Sequence, residues 1–237
     1  MAALTWDAVE NRLYETGISK GVFYPYDANT PAHPYSGGVA WNGLTAVNES
    51  PDGADITTLY ADNIEYLHIL SPEKFGFTIE CYDYPEEFNE CIGRKPVKLK
   101  ISNVETTIPG LFATSQNHKM FGFCYRTEIG SEANNELGYK IHLVYGCKSQ
   151  PTDESRDTIN DSPDAMTKSF ECTSTPMDFS TAFGATFKPT AHVVIDSRKI
   201  PSGKMTALLN KLYGTGTAGS GTAPELPLPA DLYSLVH

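Results

Sequence analysis

An alternation of apolar and other side chains limits the folds open to this chain. In the segment YKIHLVYGC, Tyr139, Ile141, Leu143 and Tyr145 occupy every second position. Because successive side chains of a strand point to opposite sides, these four share one side of a half-buried β-strand. Comparable segments, bounded by turn residues, recur along the chain. The predicted strands are residues 21–26, 39–49, 56–61, 64–70, 75–84, 97–104, 120–128, 139–147, 169–175 and 186–196.

Three segments have helical patterns instead. Residues 202–213 carry apolar side chains at i, i+3, i+4 and i+7, with Ser202 as the predicted N-cap and Gly214 as the stop. Thr5 is placed to cap a second helix that runs through Glu15. Residues 85–91 begin with proline and predict a single helical turn.

These patterns predict a mainly β protein, an antiparallel β-sandwich or barrel with one flanking α-helix and extended loops or arms. The chain has 237 residues, enough for one large core, and no internal repeat divides it. We expect a single domain over residues 1–213, followed by a Gly/Pro-rich C-terminal arm, 214–237. Residues 214–229 are expected to be flexible until copies assemble, whereas the final DLYSLVH is apolar enough to dock.

The charge is negative and unevenly distributed. The net charge is 18 − 29 = −11. This charge would repel a phosphate backbone, so a conventional nucleic-acid-binding module is not expected. Residues 48–92 hold eleven acids and one base, whereas residues 93–119 hold five bases and one acid. The uneven distribution has two interpretations, a soluble surface with chance clustering or two complementary faces for head-to-tail association.

No cofactor or metal site is predicted. GTGTAG, residues 214–219, matches a dinucleotide fingerprint, but a helix precedes it and prolines follow, so a linker is the better interpretation. His68, His142 and His192 lie in predicted strands and could converge on a metal, although hydrogen-bonded or surface histidines are more common. The five cysteines lack a C-x-x-C pair, which argues against a disulfide framework and a zinc site.

No catalytic residues are predicted either, and the chain is not expected to be an enzyme. Cys124 and Cys147 lie among apolar residues, where a cysteine is usually a small buried side chain. Asp62 and Glu65 would point to opposite sides of a continuous strand and so would not cooperate as an acid pair. The start of the chain lacks a basic region followed by an apolar one, so no signal peptide is expected, and no apolar run is long enough for a membrane span.

The segment LYADNIEYL, residues 59–67, combines carboxylates with large apolar side chains. Asp62-Asn63 is a favourable turn pair, which predicts two strands joined by a tight turn. The SPDG sequence of residues 50–53 is expected to form another turn, joining strands 39–49 and 56–61 into a long hairpin. The tyrosines then suit a strand or hairpin that pairs with a neighbouring subunit.

Several longer strings carry a family resemblance. WNGLT (41–45), YADN (60–63) and INDSP (159–163) stand out, and MFGFCYRTEIG, LGYKIHLVYGC and KPTAHVVIDSRKI support them. From about Trp6 to the C-terminus, the chain resembles the major tail protein, or tail tube protein, of long-tailed phages that infect Gram-positive bacteria. The TSQNHK loop before MFGFCYR departs from this resemblance.

The resemblance implies a non-enzymatic structural protein of the virion, made in the cytoplasm of the host bacterium. Six copies would form a ring whose inner sheets join into a continuous β-barrel, and the rings would stack into a hollow tube. The implied partners are the chain itself, the tape-measure protein, the tail terminator and the distal tail proteins, with transient, non-specific passage of DNA. No cofactor and no membrane association are expected.

Two alternatives stay open, and two residue sets follow as expectations. The first alternative is a carbohydrate- or receptor-binding β-sandwich module of a phage tail or cell-wall protein, which would be a monomer or trimer with aromatic side chains in one groove. A hydrolase with an acid pair is the enzymatic rival. The expected subunit-interface residues are Pro51, Asp52, Gly53, Tyr60, Asp62, Asn63 and Tyr66, and the expected lumen acids are Asp55, Glu65 and Glu80.

Overall fold

A computed structural model describes residues 12–53, 56–70, 74–101, 104–132, 134–150, 154, 156, 158, 165–184, 187–216 and 220–237. The strands are β1 Leu13–Pro25, β2 Val39–Trp41, β3 Leu44–Glu49, β4 Ile56–Ala61, β5 Ile64–Leu70, β6 Gly76–Cys81, β7 Arg94–Ile101, β8 Val104–Thr114, β9 Phe121–Ser131, β10 Gly138–Ser149, β11 Lys168–Ser174 and β12 His192–Asp196. The helices are α1 Ser180–Phe183, α2 Ser202–Tyr213 and α3 Pro229–Val236, and a 3₁₀ helix spans Glu86–Glu90. The predicted mainly β, antiparallel fold is confirmed.

The main sheet curls into a flattened barrel. Its eight strands follow the order β2-β1-β9-β10-β11-β6-β3, with β12 added along β10, and every pairing is antiparallel. The two ends of this order, β2 and β3, are separated by Asn42 and Gly43 alone, so one bent segment pairs with β1 at its start and with β6 at its end. The bend needs glycine, since Gly43 has a φ of 78° and a Cβ there would lie 3.2 Å from the Asp83 nitrogen.

Aromatic rings fill the barrel interior. Phe77 of β6 stacks on Phe123 of β9 with ring centroids 6.0 Å apart, which joins the two sides of the barrel. The 3₁₀ helix between β6 and β7 inserts Phe88 among rings from other elements, with Trp41 nearest at 4.7 Å. All four rings are buried. This interior depends on residues that are far apart in sequence, because the sheet brings them together.

A second core lies on the outer side of the barrel, where α2 and α3 cover β1, β9 and β10. Ile141, Leu143 and Tyr145 face this layer and are buried, and Tyr139 packs against it, so the predicted shared side is confirmed. The prediction of a half-buried strand is wrong, because residues 141–147 are all buried between this layer and the barrel interior. The Tyr145 hydroxyl donates a hydrogen bond to the carbonyl oxygen of Pro227 at 2.9 Å. The helices are therefore held by apolar packing and by a buried hydrogen bond.

The C-terminal residues belong to this outer layer. Leu226 and Leu232 are buried in it, and the Leu226 nitrogen donates to the Tyr35 carbonyl oxygen. The expected docking of DLYSLVH is confirmed. The expectation that residues 214–229 become ordered only on assembly does not hold for Leu226–Pro229, which pack within a single chain.

Local predictions succeeded where side-chain periodicity was decisive. The bounds of β4, β5 and α2 match their predicted segments. The predicted strand 186–196 corresponds to the shorter β12, and the predicted strand 97–104 overlaps the end of β7 and the start of β8. The N-cap of α2 is Pro201, with Ser202 as the first helical residue. Among the described residues, no helix is long and apolar enough to cross a membrane.

The predicted N-terminal helix is wrong where it can be compared. Residues 1–11 lie outside the described part, but Leu13–Glu15 belong to β1. There, β1 pairs with β9, starting with Leu13 opposite Ser131. A long ladder to a distant strand outweighs a short helical pattern, which is marginal by itself. Gly17, the predicted helix stop, lies inside the strand with a φ of 67°.

Candidate assembly surfaces and a buried polar cluster

Strands β4 and β5 form a two-stranded hairpin outside the main sheet. The turn falls at Asp62 and Asn63, as predicted, and both residues have a left-handed φ, 51° and 63°. Two successive left-handed residues give the turn type whose twist matches a hairpin. Leu59 lies opposite Leu67, and an irregularity follows before Tyr60 pairs with Glu65.

One side of this hairpin is apolar. From the register, Leu59, Leu67, Ile64 and Ile69 share a side, while the pair Thr58 and His68 lies on the other. These four apolar side chains are between 39% and 64% exposed. An isolated two-stranded hairpin is at best marginally stable in water, and a contiguous exposed apolar patch marks an interaction site. The hairpin is therefore the best candidate for an assembly surface.

The structure brings four of the expected interface residues together on this hairpin. Asp62 and Asn63 form its tip, and Tyr60 and Tyr66 are each 68% exposed. The other three, Pro51, Asp52 and Gly53, lie at its base.

The predicted SPDG hairpin is wrong. β3 pairs with β6, and β4 pairs with β5, so no ladder joins β3 to β4. Instead, Asp52 forms an isolated bridge with Lys74, which draws together the two chain segments that lead into and out of the β4–β5 hairpin. The turn residues of this sequence thus lie at the base of the β4–β5 hairpin and not at the tip of another hairpin. Their bridge partner, Lys74, follows β5 in the chain.

Two of the three expected lumen acids lie in the described part of the chain. Glu65 lies on β5, where its carboxylate accepts a hydrogen bond from the Tyr60 hydroxyl at 3.3 Å. Glu80 lies on β6 and accepts from the Asn48 amide at 2.9 Å. Asp55 lies outside the described residues. Which acids face a lumen stays a prediction.

A second hairpin, β7–β8, also lies outside the main sheet and carries the opposite charge. Residues 94–114 include four bases and one acid, whereas residues 56–70 include two acids and no lysine or arginine. Lys98 and Lys100 are exposed, and neither has an ion-pair partner within the described part of the chain. Leu99 and Leu111 are also exposed. Two of the eleven acids of residues 48–92 thus lie on the β4–β5 hairpin, and four of the five bases of residues 93–119 lie on the β7–β8 hairpin.

A polar cluster lies at one end of the barrel interior. His142 of β10 stacks between Tyr125 of β9 and His192 of β12, with ring centroids 4.4 Å and 5.3 Å away. Glu49, the last residue of β3, accepts a hydrogen bond from the Tyr125 hydroxyl at 2.5 Å. Of the three histidines predicted to lie in strands, His142 and His192 therefore converge, whereas His68 lies on the β4–β5 hairpin. Sequence reasoning missed Glu49 because it lies at the end of β3, about 90 residues before His142 in the chain.

The environment of the cluster shifts the pKa values of its groups. The adjacent His142 ring, opposed by burial and assisted by the Tyr125 hydroxyl, lowers the pKa of Glu49 to about 2. Burial lowers the pKa of His192 to about 4. Burial, together with the bond to Glu49, raises the pKa of Tyr125. At neutral pH the cluster therefore contains an ionised carboxylate beside a neutral His192.

Acid should destabilise the protein through His192. The ordinary pKa of 6.5 falls to about 4 in the folded chain, so the unfolded chain binds this proton first as the pH decreases. The free energy of unfolding should then drop by about 3 kcal/mol between pH 6.5 and pH 4. Urea denaturation at several pH values, with EDTA present, measures this slope.

His192→Gln should flatten the slope, and His68→Gln, which changes an exposed histidine, should keep it. Glu49 adds a separate loss at lower pH, because its stabilising contribution is present above pH 4.5 and disappears towards pH 2. Equal slopes in the wild type and His192→Gln between pH 6.5 and pH 4.5 would show that His192 is not the group responsible.

The cysteines and the GTGTAG segment are the other candidates for chemistry in the sequence. All five cysteines are buried and free, and burial raises the pKa of both Cys124 and Cys147, as expected for inert thiols. α2 leads directly into the GTGTAG segment, so the strand that a dinucleotide site requires does not precede it.

No protein-family model matches the chain, and no curated protein sequence is significantly similar to it. Its function is therefore inferred from its fold, its exposed surfaces and the resemblance of its sequence strings.

Proposed function

We propose that this chain is the structural subunit of a phage tail tube, in which copies assemble into rings and the rings stack. The apolar side of the β4–β5 hairpin is the observation that carries the proposal. Leu59, Leu67, Ile64 and Ile69 gain little from the fold of a single chain, because each leaves at least 39% of its surface exposed. Covering them with another copy would remove this apolar area from water and stabilise the hairpin.

Charge supports association between unlike surfaces of identical copies. The β4–β5 hairpin carries Asp62 and Glu65, and the β7–β8 hairpin carries Lys98 and Lys100 among its bases. A contact between the two hairpins of different copies would pair opposite charges. Where such a contact is heterologous, it generates closed rings or open filaments.

The proposed tube also accounts for the acidic composition. A channel that conducts DNA should not bind it tightly, and a net charge of −11 per chain provides repulsion where phosphate-binding proteins provide lysine and arginine. A ring of six, and contacts with a tape-measure protein, a tail terminator and distal tail proteins, belong to the proposal through the resemblance. No catalytic group is needed for this role.

Electron microscopy of the purified chain tests the proposal. We expect rings or tubes of uniform diameter at high protein concentration, with analytical ultracentrifugation showing growth from smaller species. A chain that stays monomeric throughout would overturn the proposal. A discrete monomer or trimer that binds cell-wall glycans would instead support a receptor-binding module, and glycan turnover would support a hydrolase.

A further inference from the structure

We propose that Glu49, His142 and His192 form a binding site for a divalent transition-metal ion of the zinc class. Each residue offers one ligand atom, and the three atoms lie within 4.8 Å of one another. The residues come from β3, β10 and β12, so a shared ion would join three strands at the end of the barrel. This inference does not depend on the proposed tube function.

The distances between ligand atoms suit a common ion. His142 Nδ1 lies 3.1 Å from His192 Nε2 and 3.4 Å from Glu49 Oε1. In a tetrahedral zinc site with bonds of about 2.0–2.1 Å, neighbouring ligand atoms are roughly 3.3 Å apart. Small shifts of the side chains would therefore suffice to place an ion between them.

Hydrogen bonds fix which nitrogen of His142 is available. The Thr127 hydroxyl donates its proton to Glu15 Oε1 at 2.5 Å. The Thr127 hydroxyl oxygen lies 3.2 Å from His142 Nε2. Since its own proton is donated to Glu15, this oxygen must accept a hydrogen bond from Nε2–H. When His142 is neutral, its proton is thus on Nε2, and the lone pair of Nδ1 faces Glu49 and His192.

Without an ion, the lone pair of His142 Nδ1 can accept a hydrogen bond from His192 Nε2, 3.1 Å away. A metal ion would replace this hydrogen bond and would bind the lone pairs of both ring nitrogens.

Neighbouring side chains hold the ligands in place. Tyr125 donates to Glu49 and stacks on His142, while Phe75 stacks on His192 with ring centroids 4.2 Å apart. Metal-binding histidines and carboxylates are commonly oriented by such hydrogen bonds. Access is available too, because the Glu49 side chain is 38% exposed, and a cavity of about 170 Å³ lies beside His192.

The donor set selects the class of ion. Two imidazole nitrogens and one carboxylate oxygen suit Zn²⁺, Co²⁺, Ni²⁺ or Fe²⁺, whereas Ca²⁺ and Mg²⁺ prefer oxygen ligands. Water would complete the coordination on the side of Glu49. Glu15 adds a second negative charge nearby, and Lys140 neutralises it through an ion pair.

Isothermal titration with ZnCl₂ at pH 7.5, after treatment with EDTA and dialysis, tests the site. We expect one ion per chain and a rise in Tm that grows with the zinc concentration. His192→Gln and Glu49→Gln should each weaken binding at least about 100-fold, since changes to surrounding residues alone cost 10–100-fold. His237→Gln, which changes an exposed histidine of the C-terminus, should bind zinc like the wild type.

Two further measurements distinguish the site from adventitious binding. Co²⁺ should give the intense visible absorption of a tetrahedral site in the wild type and not in Glu49→Gln, whose partly exposed side chain makes misfolding less of a concern. Thr127→Val, which changes a positioning residue, should weaken zinc binding about 10–100-fold without changing the stoichiometry. The absence of one-to-one binding in the wild type, or equal affinity in Glu49→Gln and His237→Gln, would overturn the proposal.

Discussion

Replacing Leu59 and Leu67 with serine is expected to raise the protein concentration needed for tube formation and leave the folded monomer intact. The two side chains form a cross-strand pair on the apolar side of the β4–β5 hairpin. Fully burying a leucine side chain contributes about 1.5–3 kcal/mol, and covering the exposed 42% of Leu59 and 39% of Leu67 therefore contributes roughly 1–2 kcal/mol to each contact between copies. The critical concentration for assembly should rise roughly 10- to 50-fold.

The same substitutions should change the stability of the monomer little. Leu59 and Leu67 are 42% and 39% exposed and belong to neither of the two buried cores. We expect the free energy of unfolding to change by less than about 1 kcal/mol. Light scattering and electron microscopy measure assembly, and urea denaturation of the monomer measures stability.

A matched pair on the other side of the hairpin provides the control. Thr58 and His68 are also cross-strand neighbours, and their side chains are joined by a hydrogen bond at 3.0 Å. Thr58→Ser with His68→Asn should assemble far more readily than the double leucine variant. Normal tubes from Leu59→Ser/Leu67→Ser would show that this apolar side is not the contact surface.

The hairpin shows which part of the fold short-range sequence patterns could predict. The bounds of β4 and β5 follow from alternation on either side of the Asp62-Asn63 turn, which needs no information from elsewhere in the chain. The helix α2 is similar, because its apolar spacing and Gly214 act within a few residues. Both elements are local, and their bounds match the prediction.

The remainder depends on partners far away in sequence. β1 extends to Leu13 because β9 pairs with it. Residues 50–53, whose sequence predicts a turn, lie at the base of the β4–β5 hairpin because Lys74 forms a bridge with Asp52. The polar cluster is another example. Alternation places His142 on the side of β10 opposite Ile141, but sequence alone does not show that Glu49 meets it at the end of the barrel.

The barrel interior allows a further test of this long-range organisation. Phe88 comes from the short 3₁₀ helix, and its side chain is completely buried. Its ring meets the rings of Phe23, Trp41, Tyr84, Phe121 and Phe170 at centroid distances of 4.7–5.9 Å. These rings come from several strands and a connecting segment, so they cannot all move inward to fill a cavity without distorting the sheet.

Phe88→Ala should therefore lower the free energy of unfolding by about 3–5 kcal/mol, the range for a buried phenylalanine that leaves a cavity. For a domain of this size, the corresponding fall in Tm is roughly 10 °C. Phe187→Ala provides the matched control, because Phe187 is 48% exposed and should cost less than about 1 kcal/mol. Urea denaturation of both variants measures the difference. A loss below 1 kcal/mol for Phe88→Ala would mean that the Phe88 ring, and with it the 3₁₀ helix, contributes little to the stability of the barrel interior.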